Sequence, residues 1–206
     1  AGLIHQYDPA TDSWNDQGGS ANLSPQNGAT IVSVGATSTT LTKAYEFDGV
    51  DDYATRSDFD KAPFSVELWV KFDTLTDSTD KYQIIYETGG KYGILIALSK
   101  DGLLHFDVGS RNAPPVSETS FDLTSLSAAA KGDFIHIVGT NDADSGDSAG
   151  VQLYVNGASK DSDVGNNNFD GGDDGALGYG SSGDNVDKIG TWKGTSRLGD
   201  PEPFDG

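Results

Sequence analysis

Tyr45-Glu-Phe-Asp-Gly-Val-Asp-Asp-Tyr53, followed after a short loop by Phe64-Ser-Val-Glu-Leu-Trp-Val-Lys-Phe72, decides the fold of this 206-residue chain. The first run reads as a strand end, an Asp/Gly turn and the start of a second strand. In such turns glycine supplies the positive φ, and aspartate bonds nearby backbone amides. The second run alternates, with Phe64, Val66, Leu68, Val70 and Phe72 on one face and Ser65, Glu67, Trp69 and Lys71 on the other. Trp69 lends that second face apolar bulk and is expected to lie between layers. The pair of runs predicts an all-β antiparallel β-sandwich, and 206 residues suit a single domain of that class.

Working outward, residues 3–7, 30–34 and 43–47 read as strands before the deciding turn. Residues 82–86, 92–99 and 103–108 predict a meander whose turn is Lys100-Asp101-Gly102. Pro114-Pro115 predicts an irregular segment, because proline donates no ladder hydrogen bond. Residues 123–130 have room for one helical turn. Residues 134–138 and 151–155 read as strands flanking a polar loop, and Asn156-Gly157 marks a type I′ hairpin. Residues 161–187 are nearly all Gly, Asp, Asn and Ser and predict a long loop. Lys188-Ile189-Gly190 closes the series as a short strand.

Composition supports this reading and excludes several functions. Nine Phe, eight Tyr and three Trp supply core volume. The net charge is −19, with 27 Asp against 5 Glu. Aspartate is the turn former and also a hard oxygen ligand for Ca2+, so the bias fits aspartate-rich loops and a few bound cations. Such a surface repels a phosphate backbone, which argues against nucleic acid as a partner. Cysteine is absent, so disulfides, zinc-thiolate sites and thiol nucleophiles are excluded. No apolar run nears the roughly 18 residues of a membrane span. Ala1, a small residue, suits the mature end of an exported protein and equally an arbitrary boundary.

Six stretches in this order resemble the laminin-G-like, concanavalin A-like jelly roll of large exported bacterial proteins. They are residues 45–53, 64–71, 101–106, 132–138, 153–157 and Ile189-Gly190. The resemblance implies a laminin-G-like domain over residues 1–206. It departs from the family where Trp-His-His is replaced by Phe134-Ile135-His136. The family also continues into a closing strand, whereas this chain stops at Phe204-Asp205-Gly206. The expectation is a domain lacking that strand, either as a fragment or with an open edge completed by another chain.

In the resembling modules a calcium ion sits between the N-terminal loop and the turn after Phe-Asp-Gly. The matching positions are Asp16, Asp48, Asp51 and Asp52, with Asp205 approaching from the neighbouring edge. Ca2+ takes six to eight oxygens, and Gly18-Gly19 would let carbonyls converge. The alternative is that Asp48 and Asp51 cap their own turn. A pentraxin-type site is not expected: Asp80 could serve it, but Thr191, Trp192 and Lys193 supply no acid. The loop from Asn141 to Asp147 fails as an EF-hand, since Gly146 falls on a ligand position and no Glu completes it.

Sugar rings call for exposed aromatics among polar neighbours, and Trp14, Tyr179 and Trp192 lie in such surroundings. Catalysis is not expected. Glu46, Glu67, Glu87, Glu118 and Glu202 are scattered, without the paired carboxylates of a glycosidase. His105 and His136 lie in strands, where a hydrogen-bonded core imidazole is the common role. The expected function is therefore a non-catalytic adhesion or recognition module, extracellular or at the cell surface and calcium-stabilised. Its expected partner is carbohydrate or another surface protein. The alternative is a self-associating subunit of a surface layer or extracellular filament.

Overall fold

The computed structural model describes residues 5–35, 40–57, 64–76, 83–87, 92–110, 113–141, 151–163 and 186–190. Its strands are β1 (Ser24–Gln26), β2 (Thr30–Ser33), β3 (Lys43–Glu46), β4 (Tyr53–Ser57), β5 (Phe64–Val70), β6 (Gln83–Glu87) and β7 (Tyr92–Leu98). They continue with β8 (Leu103–Ser110), β9 (Ala113–Asp122), β10 (Ile135–Asn141), β11 (Val151–Val155), β12 (Ala158–Asp163) and β13 (Val186–Ile189). One helical turn, α1 (Ala128–Lys131), precedes β10. Among the described residues no helix is long and apolar enough to cross a membrane.

Seven strands form a sheet in the order β1-β4-β13-β6-β7-β8-β9, four form a second in the order β12-β11-β10-β5, and β2 pairs with β3. All pairings are antiparallel. The two large sheets lie face to face. Ile94, Ile96, Leu98, Leu104 and Phe106 from one meet Ile135, Ile137, Val151, Leu153 and Val155 from the other in a single core. Contact between the layers is close enough that a Cβ at Gly139 on β10 would sit 2.5 Å from the Phe106 ring on β8. At one side the sheet edges β9 and β12 meet. There the Ser120 N–H donates to the Asp161 carboxylate at 3.0 Å, and the Lys160 ammonium lies over the Phe121 ring.

The deciding run behaves as its alternation predicts, with one correction. Phe64, Val66 and Leu68 pack against the core, and Val70 and Phe72 are buried in it. Ser65, Glu67 and Lys71 are exposed. Trp69, expected between layers, is 44% exposed on the outer face. Its odd position in β5 turns it away from the core, and the strand's period outweighs its bulk.

Two further expectations are corrected, and one holds in part. Pro114 and Pro115 do mark an irregular stretch, where the β8–β9 register jumps from Val108–Ser117 to Ser110–Ala113, yet β9 runs through both. This is tolerated because β9 is the last strand of its sheet, so a missing donor can face away from the ladder. Residues 5–7 form no strand; the Gln6 carbonyl accepts instead from Gln17 N–H at 2.8 Å. The strand after the hairpin extends to Asp163, so the expected loop begins later than Asp161. Asn156 and Gly157 take positive φ (52° and 75°), as a type I′ turn requires. The segment after β9 forms a 3-10 turn and α1, and β13 inserts between β4 and β6.

Candidate functional site

Asp16 organises the N-terminal loop. Its Oδ1 accepts from the amides of Gln6, Gly18 and Gly19, and its Oδ2 from His5 Nδ1 and the Ala21 amide. Burial alone would raise this carboxyl. The hydrogen bonds from His5, Gln6, Ala21 and Gly18 outweigh it and hold the group well below the usual carboxylate range. Asp16, expected as a metal ligand, thus has both oxygens turned to its own loop, because the Gly18-Gly19 pair presents amides rather than carbonyls to it. The loop is pinned further by Trp14, which stacks on Tyr45 at 4.2 Å and meets Phe47 edge-on. Trp14, expected as a ligand platform, is half-buried packing against the core.

Asp48, Asp51 and Asp52 do come together. One carboxylate oxygen from each lies within 4.8 Å of the others. The turn explains part of this arrangement. Gly49 takes a positive φ, and Asp48 Oδ1 accepts from the Val50 and Asp51 amides. Asp52, buried, accepts from the Asp48 amide through Oδ2, while its Oδ1 lies against Gly28, where a Cβ would come within 2.7 Å. The hydrogen bond from Val50 leads the effects that hold the Asp48 carboxyl below its ordinary value. Asp16 is not part of this group. Asp205, Tyr179 and Trp192 lie outside the described residues, as do Asp80 and most of the loop that follows Asn141.

The outer face of the four-stranded sheet gathers groups that the sequence reading placed elsewhere. The β5–β10 ladder sets Trp69 opposite His136 and Glu67 opposite Val138, and the β10–β11 ladder sets Val138 opposite Tyr154. The Trp69 and His136 rings stack at 4.5 Å with an interplanar angle of 24°. His136 Nε2 donates to Glu67 Oε1 at 2.8 Å. Tyr154 donates to Gln152 Oε1, and Gln152 Nε2 donates to Ser159 at 3.2 Å. His136 is thus no core imidazole: it alternates outward between the buried Ile135 and Ile137. The signal was present in the Trp69 position of the alternating run, but pairing it with His136 requires the long-range register.

The outer face of the seven-stranded sheet holds His105, Asp107 and Glu118. His105 likewise lies opposite the core-facing Leu104 and Phe106, with Nδ1 3.2 Å from Glu118 Oε1. The chain therefore has an aspartate turn anchored by the buried Asp52 and polar groups on the outer faces of both sheets, built on a closely packed pair of sheets.

Known proteins place this architecture. A family model described as the concanavalin A-like lectin/glucanases superfamily (Laminin_G_3) matches residues 48–195. Among curated proteins none matches the chain. Two solved structures are similar in fold. One, described as a tryptophan-to-alanine mutant of HCR/D, has a TM-score of 0.57 and 16% identity over 84% of this chain. The other, described as HCR/D-Sa-GBL1/C, has a TM-score of 0.61 and 10% identity over 90% of this chain. This chain spans 39% and 42% of their respective lengths. With face-to-face antiparallel sheets behind a match over most of its length, the chain belongs to the concanavalin A-like lectin/glucanases superfamily.

Proposed function

We propose that this chain is a non-catalytic carbohydrate-binding module, stabilised by calcium and acting outside the cell or at its surface. The observation that carries the reading is the exposed Trp69 ring, backed by His136 with Glu67 beside it, while Tyr154 and Gln152 lie two strands away on the same face. An aromatic plate supplies the apolar contact a sugar ring needs, and the carboxylate beside it, with the phenol and amide further along the face, supplies directional hydrogen bonds. The stack on His136 and the Glu67 hydrogen bond hold the plate in place before a ligand arrives, which lowers the ordering cost of binding. The superfamily includes both lectins and glucanases, so membership does not choose between them.

Calcium would be held by Asp48, Asp51 and Asp52. Three hard oxygens within 4.8 Å fit that ion, and the hydrogen bonds above engage one oxygen each of Asp48 and Asp52. The ion would relieve repulsion among three carboxylates and fix the turn between β3 and β4. A glycan array read in calcium, with Trp69→Ala as control, tests the function: binding by the wild type and its loss in the variant supports it.

A second reading rests on β5, which among the described residues ends the four-stranded sheet while carrying Trp69. A strand added to that edge would make the module a self-associating surface-layer or filament subunit, or dock another surface protein. Sizing at rising concentration separates the readings, since a monomer that binds sugar excludes assembly as the primary role.

A further inference from the structure

The face of the seven-stranded sheet turned away from the core carries a cluster unrelated to both sites above. On β8, Leu104 and Phe106 enter the core, so His105 and Asp107 project to the other side. The β8–β9 ladder pairs Asp107 with Glu118 and His105 with Ser120. One imidazole nitrogen of His105 and one carboxylate oxygen each of Asp107 and Glu118 lie within 4.8 Å of one another.

Asp107 itself is buried with an unpaired oxygen. Its residue is 2% exposed, and Oδ1 has no hydrogen-bond partner. A buried carboxylate oxygen without a donor costs free energy that native structures rarely leave uncompensated. Here the group directly opposite is another carboxylate, so the ladder worsens the cost. Burial first, and Glu118 second, push the Asp107 carboxyl well above its ordinary range. Glu87 on β6 lies in the same cross-strand row through Leu95, and the β6–β13 ladder sets Lys188 opposite Glu87.

We propose that His105, Asp107 and Glu118 bind a divalent transition-metal ion of the Zn2+ class. One imidazole with two carboxylates is the donor set of such ions, whereas Ca2+ takes oxygens alone. The His-x-Asp spacing puts two donors on one face of one strand, and the hairpin register delivers the third. The ion satisfies the Asp107 oxygen and cancels the Asp107–Glu118 repulsion. Its access lies along Glu118, whose side chain is 45% exposed against 13% for His105. Three protein ligands leave coordination positions for water or a ligand oxygen.

The test is calorimetric titration of EDTA-treated, redialysed protein with Zn2+ in excess Ca2+, with Co2+ visible absorption as a spectroscopic readout. The expected result is one tight equivalent of Zn2+ and a Co2+ spectrum that Zn2+ bleaches. Asp107→Asn, His105→Gln and Glu118→Gln should each weaken Zn2+ by more than the roughly 10–100-fold cost of losing an outer-shell partner. Asp51→Asn should leave it unchanged. Glu118→Gln, altering a part-exposed side chain, keeps the test decisive if a buried variant fails to fold. Absence of a tight equivalent in the wild type, or equal Zn2+ affinity in the folded Glu118→Gln variant, overturns the proposal.

Discussion

Trp69 and His136 lie face to face, 4.5 Å apart, because the β5–β10 register sets them directly opposite on the solvent side of the sandwich. The ring pair is positioned by backbone pairing that the rest of the sheet already requires. Trp69→Ala should therefore leave the fold intact while removing the flat apolar surface. Sugar affinity is expected to fall by about ten-fold or more, as for a truncated aromatic hot spot. Isothermal calorimetry for binding and a thermal melt for folding check the two halves separately; a collapsed melt would show that the plate is structural.

Gly190 tests the packing of the module. Its φ is +92°, and a Cβ there would come within 2.6 Å of the Phe47 ring. Gly190→Ala thus meets strain from both backbone and neighbour, and should cost about 2–4 kcal/mol in a urea unfolding curve. A loss under about 0.5 kcal/mol, the usual range for harmless surface changes, would contradict the described contact.

The two buried aspartates should respond to pH with opposite signs. Asp16 is held below its ordinary value, so its contribution is present above about pH 4, near the unfolded carboxyl value, and is lost on acidification. Asp16→Asn should cost about 2 kcal/mol at pH 7, and the gap to wild type should close as pH falls below about 4. Asp107 is raised, so it favours folding below about pH 4 and loses that contribution as pH rises through its folded value. In EDTA-treated protein Asp107→Asn should stabilise at pH 7 and lose its advantage in acid. Denaturant midpoints across pH measure both.

Calcium should raise the melting temperature through the turn after β3. At about 100 times its dissociation constant the ion would add roughly 2.7 kcal/mol. Asp51→Asn combined with Asp52→Asn should abolish that rise, while Asp16→Asn should retain it on a lower baseline. Equal calcium responses in the wild type and the double variant would move the ion elsewhere.

How much of this was legible in the sequence depended on range. The alternation from Phe64 to Phe72, the Asn156-Gly157 turn and a strand through Lys188-Ile189 are local signals, and each keeps its place in the fold. That last strand starts earlier, at Val186, and stops before Gly190. The same alternation also carries the outward position of Trp69, since the parity of its place in β5 outweighs the bulk of the indole. The Asp107–Glu118 pairing was out of reach for another reason. Pro114 and Pro115 disguised the return strand, and without β9 no register connects two acids eleven residues apart. Asp16 shows a different limit, since a glycine-rich loop can aim either carbonyls or amides at a carboxylate's position. Only the backbone dihedrals decide which.

The most direct test of the central claim is retention of the pure protein on immobilised polysaccharides and glycans in calcium, wild type beside Trp69→Ala. The account predicts that the wild type is held by at least one sugar class and that the folded variant passes through. Wild-type protein that binds none of them, or a variant held as strongly as the wild type, would contradict it.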